Sequence, residues 1–470
     1  MQPTKETLLR RIPSVESLLQ DPAVKTAASE VPRRLVVDAV RTAVDEMRSR
    51  LARAPEDLAE AEIRRSILAR VGERVRETSS TFYRRAVNAT GIILHTGLGR
   101  AVLPAKAIRQ IGEHLSGYSV LQVDIETGKR SRRDERIEWL LCQLTGAEAA
   151  TVVNNNAAAT LIVLNTVGQG KEIIVSRGQL VEIGGSFRLP EVMAASGARL
   201  VEVGTTNKTH PRDYENAITG STAAILRVHP SNYKVSGFTE EVPLAELDRI
   251  AHAHGLALID DVGAGALVDF SRFGFTDEPM IADSIRLGAD VVLSSADKLI
   301  GGSQGGIILG KTGLIERVRK NPLARILRVG KLTLAALEAT LSLFFDEAMA
   351  LREVPTLAML ARPLSEIDDQ AKRIARAVRP RAAGATVTVI DGASQMGSGS
   401  LPTQNIPTRL VAIAPRGGTL EALAGRLRRH TPPVFARIQD DRVLIDPRTL
   451  LEGDEEPLID ALATALTTEE

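Results

Sequence analysis

The sequence predicts an α/β fold built on a mostly parallel sheet that helices cover on both faces. Between residues 81 and 345, short apolar runs typical of strands alternate with stretches of helical periodicity. The runs are continuously apolar, which indicates strands buried on both sides of the sheet. They lie at residues 150–153, 172–175, 199–203, 223–228, 257–260 and 291–294.

The 470 residues are too many for one small core, and three regions differ in pattern. Residues 1–80 show the apolar spacing of amphipathic helices and predict a small helical domain. Residues 81–345 form the predicted large domain. Residues 346–470 contain four strand-like and two helical stretches, which predict a small α+β C-terminal domain.

Composition restricts the class of protein. The 59 basic and 58 acidic residues nearly cancel, so the net charge of +1 gives no sign of a nucleic-acid partner. A single cysteine, Cys142, excludes an intramolecular disulfide. No apolar run is long enough to span a bilayer, and the N-terminus lacks a signal core, so we expect a cytoplasmic protein without membrane contact. The sequence contains no cluster of histidines or cysteines that would predict a metal site.

Three asparagines follow the first strand-like run of the large domain. Asn154, Asn155 and Asn156 precede a helix of small residues. Free backbone N–H groups at a helix start suit an anionic phosphate, and small side chains let it approach. We expect these residues to form a phosphate cradle, although helix capping would explain one of the three.

Two carboxylates, Asp260 and Asp261, end a later strand-like run and precede glycines. Side chains alternate along a strand, so the two aspartates should point to opposite sides. Taken alone, they could also be turn formers or metal ligands.

Lys298 follows the run at 291–294 and precedes a glycine-rich turn. A lysine that forms a Schiff base must be held at the edge of a sheet with a lowered pKa. Ser295, just upstream, could add a hydroxyl group to a phosphate site. A lone lysine beside glycines is also common on protein surfaces, so the assignment depends on its neighbours.

A phosphate turn, a strand-end aspartate and a lysine are the groups that hold pyridoxal 5'-phosphate. The aspartate keeps the pyridine nitrogen protonated, and the ring can then act as an electron sink. We assign this role to Asp261 rather than Asp260. The order of the three groups along the chain resembles that of the aspartate aminotransferase-like fold (fold type I), which the resemblance predicts for the large domain.

Longer segments make the resemblance specific. The chain resembles bacterial selenocysteine synthases, the L-seryl-tRNA(Sec) selenium transferases, nearly from end to end. Gly97, Gln179, Ala296 and Ser303 depart from the family pattern, which usually has Asn, Glu, Gly and Pro there. The matching segments are residues 11–19, 88–100, 177–188, 204–208, 231–233 and 331–341.

The resemblance implies an activity. L-Seryl-tRNA(Sec) would be converted to L-selenocysteinyl-tRNA(Sec) by pyridoxal phosphate-dependent elimination of water to a dehydroalanyl-tRNA, followed by addition of selenium from selenophosphate. Lys298 would form the Schiff base and transfer the α-proton. The cofactor would also contact Asp261, Asn154, Asn155, Asn156, Ser295 and Arg177.

The resemblance further implies an anion site and several partners. Arg100, Arg325 and Arg328 would bind selenophosphate, since planar guanidinium groups give directional bonds to tetrahedral anions. The N-terminal domain would contact the tRNA. The protein would form a homo-oligomer, with a dimer as the minimum and a decameric ring as the larger form.

Several alternatives stay open at this stage. A related pyridoxal phosphate lyase acting on a small amino acid or an amino-sugar phosphate would share the cofactor core, but would lack the N-terminal domain and the paired arginines. A protein that only binds would not need Lys298. Arg325 and Arg328, three residues apart, could form one exposed helix face. His95 is a candidate substrate contact or a structural histidine.

Overall fold

A computed structural model describes residues 5–29, 31–53, 57–79, 81–185, 187–382, 384–398, 400 and 405–467. The predicted domain limits at residues 1, 80 and 470, and Ser186 of the matching segment 177–188, lie outside the described residues. The chain divides into two units, Met1–Arg85 and Ala86–Glu470. The predicted subdivision of the second unit at residue 346 stays a prediction.

The described part of the first unit is helical. Ser14 and Asp21 cap the second and third helices, accepting hydrogen bonds from the backbone N–H groups of Ser17 and Ala23. The two long helices bury apolar residues at intervals of three and four, and these side chains form one core. The helices are α1 (Lys5–Arg10), α2 (Val15–Leu19), α3 (Pro22–Ala27), α4 (Arg33–Arg53) and α5 (Glu60–Ser79).

The second unit contains strands and helices in alternation. Its strands are β1 (Val87–Asn88), β2 (Ala149–Val153), β3 (Glu172–Ser176), β4 (Glu182–Ile183), β5 (Phe187–Arg188), β6 (Arg199–Val203), β7 (Thr222–Val228), β8 (Ala257–Gly263), β9 (Val291–Ser295), β10 (Gly306–Gly310), β11 (Ala385–Ser394), β12 (Ile406–Pro415), β13 (Val434–Phe435), β14 (Arg437–Gln439) and β15 (Arg442–Ile445).

The helices of this unit connect those strands and pack on the sheets. They are α6 (Ala105–His114), α7 (Glu135–Thr145), α8 (Asn156–Gly168), α9 (Leu189–Ser196), α10 (Pro211–Ala217), α11 (Leu244–Ala253), α12 (Ile281–Arg286), α13 (Thr312–Lys320), α14 (Leu323–Ile326), α15 (Lys331–Leu341), α16 (Glu347–Glu353), α17 (Pro355–Ala361), α18 (Leu364–Val378), α19 (Leu420–Arg429) and α20 (Glu455–Thr467).

A seven-stranded sheet in the order β2-β10-β9-β8-β7-β3-β6 forms the centre of the second unit. Strand β10 runs antiparallel to both neighbours, and the other neighbouring pairs are parallel. Val292 packs in a cluster with residues of α7 and α15, whereas Val291 and Leu293 pack with residues of α8 and α13. Helices therefore cover both faces, and the α/β prediction is confirmed.

A second sheet, antiparallel in the order β11-β12-β15-β14, lies in the C-terminal part of the unit. Helices α18 and α20 share its hydrophobic core. The short strand β1 pairs with β13, so Val87 joins that core although it lies about 350 residues before β13 in the chain.

Two details differ from the predicted elements. Strand β10 was not expected, because the glycines at both of its ends leave only three apolar residues between them. The helical spacing of apolar residues from 332 to about 351 predicts one long helix, but the structure interrupts it: α15 ends at Leu341, and Asp346 caps the separate helix α16. Among the described residues, no helix is long and apolar enough to cross a membrane, and no group of three or more His, Cys, Asp or Glu could hold a metal ion.

Candidate active site

The candidate site lies at one edge of the seven-stranded sheet, where β2, β8 and β9 end. Carboxyl ends of parallel strands meet at one edge, which is the usual location of ligand sites in open α/β sheets. Gly306 of β10 pairs with Val153 of β2 on one side and with Ser295 of β9 on the other. The turn at 154–156 and the residues after Ser295 therefore begin on either side of the same residue of β10.

Asp261 is buried at the end of β8 and is held by three donors. Asn156 Nδ2 donates to its Oδ1 over 2.9 Å, Thr160 Oγ1 to its Oδ2 over 3.0 Å, and the backbone N–H of Gly263 to Oδ1 over 3.1 Å. Burial raises the pKa of this carboxyl group, and the three hydrogen bonds act against that rise. The carboxyl group is thus fixed in place and available to share a proton with a basic ligand atom.

Asp260 contacts a different element. Its Oδ1 accepts a hydrogen bond from Arg227 Nη1 of β7 over 2.8 Å, and its side chain is fully buried. The expected difference between the two aspartates is confirmed, because neighbouring side chains of a strand point in opposite directions. Asp260 is therefore occupied by a structural ion pair.

Lys298 is buried, with 5% of its surface exposed, in the loop between β9 and β10. Its backbone carbonyl accepts from Gly301 N, which closes a tight turn. Burial lowers the pKa of the Lys298 ammonium group, and the positive charge of Arg100 lowers it further; Asp297 and Asp261 oppose this. A lysine in such surroundings carries more free amine at neutral pH, which is the nucleophilic form.

Arg100 lies beside this lysine. Its Nη1 donates to Asp297 Oδ2 over 2.9 Å. Its backbone has a φ of 61°, and the preceding Gly99 has a φ of 97°. A left-handed conformation is unusual for a residue with a side chain, and here it belongs to a residue whose guanidinium group is held next to Lys298.

The three asparagines of the predicted phosphate cradle have different contacts. Asn155 caps α8, because its Oδ1 accepts from Ala158 N over 2.9 Å. Asn156 directs its amide nitrogen to Asp261, while its Oδ1 is buried without a hydrogen-bond partner among the described residues. Asn154 donates its backbone N–H to Leu327 O over 3.0 Å. What could hold a phosphate here is the start of α8 rather than three equivalent side chains.

A glycine keeps that helix start open to the neighbouring strand. A Cβ added at Gly306 would lie 2.1 Å from Asn155 O and 3.0 Å from Asn156 N. Any larger residue at this position would displace the turn, so the glycine allows β10 to approach α8 closely.

The remaining predicted cofactor contacts, Ser295 and Arg177, differ in burial. Ser295 is buried as the last residue of β9. Arg177 donates to Glu202 Oε2 over 3.1 Å and to the carbonyl of Gly204, and its side chain is 46% exposed. Those contacts do not bring Arg177 to Asp261 or Lys298, and its role at the cofactor stays a prediction. His95 has a buried Nδ1 without a partner in the described residues.

Arg325 and Arg328 lie on and just after the short helix α14. The backbone of Arg328 forms an isolated β-bridge with Val153, and the carbonyl of Leu327 accepts from Asn154. This segment is therefore adjacent to the turn that starts α8. In the described part of the chain, neither arginine side chain makes an ion pair, so both charges are available to an anion.

The departures from the family pattern have ordinary contacts. Gln179 Oε1 accepts from Val228 N over 3.1 Å, Ser303 Oγ donates to Thr333 O over 2.9 Å, and Ala296 is fully buried. A Cβ added at Gly97 would lie 3.4 Å from His95 Cε1, an ordinary contact. None of these positions removes one of the groups around Lys298 and Asp261.

Two residues of the site were not predicted. Thr160 follows Asn156 by four positions, so both lie on the same face of α8, and this spacing was a signal in the sequence. Asp297 precedes Lys298 directly and pairs with Arg100. Its adjacency to the lysine was visible, but its partner, about 200 residues away, was not.

Comparison with known proteins identifies the family. Residues 86–451 match the family model described as L-seryl-tRNA selenium transferase, and residues 9–48 match the model of the selenocysteine synthase N terminus. The chain belongs to the L-seryl-tRNA selenium transferase family. The resemblance stated from the sequence is thereby confirmed.

Relatives in this family cover nearly the whole chain. The L-seryl-tRNA(Sec) selenium transferase of Desulfomicrobium baculatum is 46% identical over 449 residues, which are 95% of this chain and 97% of that protein. The protein of the same name from Geobacter sulfurreducens is 46% identical over 462 residues, 97% of this chain and 99% of its own length.

A solved structure shares the fold. D-glucosaminate-6-phosphate ammonia-lyase superposes with a TM-score of 0.57 at 19% identity, covering 83% of this chain and 98% of that one. At such low identity the likeness concerns the fold alone. With the sheet order described above, it confirms the predicted α/β fold of the aspartate aminotransferase type.

Proposed function

We propose that the protein converts L-seryl-tRNA(Sec) to L-selenocysteinyl-tRNA(Sec) with selenophosphate as the selenium donor. The observation that carries the proposal is the buried Lys298, whose ammonium pKa is lowered by burial and is influenced by the charge of the fixed carboxyl group of Asp261. In a member of this family, the two groups would supply an amine nucleophile and a proton partner at the same edge of the sheet.

The same residues fit pyridoxal 5'-phosphate. Asn156 Oδ1 is buried without a partner among the described residues, and the start of α8 has N–H groups suited to a phosphate. When bound, the cofactor supplies an electron sink for electrons released at the α-carbon of the substrate. Lys298 would hold it covalently, Asp261 would keep its ring nitrogen protonated, and the residues from Asn154 to Asn156 with Ser295 would surround its phosphate.

Lys298 is also the proposed base that moves the α-proton. A neutral amine at Nζ can accept that proton, and the protonated form can return one later, which fits a group whose pKa is lowered towards neutrality. Arg100, held by Asp297, keeps a positive charge beside the lysine. We propose that Arg100 contacts the incoming selenium donor from this side.

Selenophosphate is a tetrahedral oxyanion, and guanidinium groups bind such anions through charge-assisted hydrogen bonds. Arg325 and Arg328 are the proposed ligands, together with Arg100. In support, both lie next to the turn of α8 and have no acidic partner in the described residues.

The first unit is the proposed tRNA-binding part. Arg11 and Arg64 are paired with Asp57 and Asp21 over 2.9 and 2.7 Å. Exposed Arg33, Arg34 and Arg65 make no ion pair within the described residues, so their charges could meet phosphates. We further propose a homo-oligomer, and a cytoplasmic location because the substrate is a charged tRNA.

A single-turnover experiment tests the proposal. Purified protein is mixed with seryl-tRNA(Sec), with and without selenophosphate, while the absorbance of the cofactor is followed; Lys298→Ala is the control. We expect a spectral change on adding the tRNA and selenocysteinyl-tRNA only when selenophosphate is present. A band that responds to small amino acids or amino-sugar phosphates, and not to the charged tRNA, would instead support a lyase.

A further inference from the structure

Arg133 lies in a group of positive charges near Arg325 and Arg328. Burial lowers the pKa of Arg133, and the charges of Arg328, Arg325 and Arg130 lower it further, whereas Asp134 raises it. Of these arginines, Arg130, Arg325 and Arg328 form no ion pair with any described residue. A cluster of cations without enough counter-charge attracts an anion.

The contacts of Arg133 fix the segment that carries Arg328. Arg133 Nη1 donates to Val329 O over 2.8 Å, and Nη2 donates to Gln122 Oε1 over 2.8 Å. On the other side of Arg328, the carbonyl of Leu327 is held by Asn154 N. The backbone is thus anchored both before and after Arg328, and Arg133 supplies one of the two anchors.

A cavity of about 310 Å³ opens at the same place, many times the space that one water molecule needs. Arg133, Arg328 and Arg319 are among the residues that line it. Arg319 is neutralised by Glu138 and Glu316, at 2.7 and 2.6 Å. The charges of Arg133 and Arg328 are not neutralised in this way.

We propose that Arg133 is a further residue of the oxyanion site, where it positions Arg328 and adds a guanidinium charge for a tetrahedral anion of the selenophosphate class. The inference rests on the proposed function, because it completes the site assigned to the selenium donor. Arg132, its neighbour in the chain, lines the same cavity but is a contrast, because its charge is paired. It is exposed and paired with Glu138 and with Glu316, the latter at 3.5 Å.

Calorimetric titration of the cofactor-loaded full-length protein with inorganic phosphate tests the inference. Arg133→Met should weaken phosphate binding about tenfold, the loss expected for one hydrogen bond to a charged group together with a misplaced Arg328. The matched control, Arg132→Met, should change binding less than about twofold. Arg133→Lys keeps the charge, but one ammonium group does not reproduce the fork to Val329 and Gln122, so intermediate binding is expected.

Steady-state kinetics separates positioning from a general structural effect. Arg133→Met should raise KM for selenophosphate about tenfold and change kcat less than threefold, since a binding contact is lost. Phosphate binding by Arg133→Met equal to that of the wild type would overturn the inference, as would a fall in kcat with KM unchanged. Arg325→Met distinguishes a failure of the Arg133 inference from a failure of the proposed selenophosphate site. If Arg325→Met also binds phosphate as the wild type does, the proposed selenophosphate site itself is refuted.

Discussion

Thr160→Val tests how the protein holds Asp261. Thr160 is fully buried, and its hydroxyl oxygen lies 3.0 Å from Asp261 Oδ2 and 2.9 Å from the carbonyl of Asn156. Valine has a similar volume, so the substitution removes the hydrogen bond without opening a large cavity. The carboxyl group then keeps the bonds from Asn156 and Gly263.

The size of the effect follows from the lost bond. A hydrogen bond to a charged group contributes about 1.5–3 kcal/mol, and the single hydroxyl hydrogen is shared between two acceptors, so we take about 1.5 kcal/mol. That energy corresponds to about one pKa unit. Burial already raises the pKa of Asp261, and the substitution raises it further. A larger fraction of Asp261 is then neutral and cannot pair with a protonated ring nitrogen.

The assay is a titration of cofactor-free protein with pyridoxal phosphate, followed by absorbance. We expect binding by Thr160→Val to be about tenfold weaker than that of the wild type. The loss should be larger at pH 6 than at pH 8, since the protonated fraction of Asp261 grows as the pH falls. Thr340→Val is the control, because Thr340 is equally buried and its hydroxyl donates only to Ala336 O, over 2.8 Å. Equal affinities of the two variants at both pH values would refute the reasoning.

Three further predictions concern the lysine and the tRNA. Lys298→Ala should lower turnover by more than about a thousandfold, whereas Lys311→Ala, which removes an exposed partner of Asp290, should keep near-normal rates. Arg100→Met should raise the pKa of Lys298, because the substitution removes a positive charge that lowers this pKa. Amine labelling of the cofactor-free protein at a series of pH values would then show a higher midpoint. An unchanged midpoint would contradict the electrostatic argument. Arg34→Ala should weaken tRNA binding and reduce the slope of log affinity against log salt by about one. Filter binding at several salt concentrations measures this slope, and a slope equal to that of the wild type would exclude Arg34 from the interface.

The sheet was largely predictable because its strands are buried on both faces and read as continuous apolar runs. Strand β8, with Asp261 at its end, is the clearest case. Strand β10 was missed because only three apolar residues, 307–309, lie between the glycines at 306 and 310, and such a short run resembles a loop. The break at Asp346 between α15 and α16 was also missed, since apolar spacing continues across it.

The site was predictable where one residue type at a strand end suffices, as for Lys298 and Asp261. Contacts between residues far apart in the sequence could not be predicted. The bond from Asn156 to Asp261 joins residues 105 positions apart. The three asparagines were predicted to have a common role, but their contacts differ. Arg177 shows the same limit, because its pairing with Glu202 depends on the proximity of β3 and β6.

The position of β10 between β2 and β9 also determines when during synthesis the site can form. Strands β9 and β10 make a local hairpin, but the pairing of Gly306 with Val153 joins residues about 150 positions apart. Until residue 310 has left the ribosome, no strand pairing joins β9, which leads to Lys298, with β2, which leads into α8. A nascent chain that ends before β10 would contain Lys298, Asp261 and the asparagines at 154–156, but β2 would not yet be paired with the rest of the sheet. Cofactor binding would therefore follow a slow, long-range closure step, and would report that the large sheet is complete.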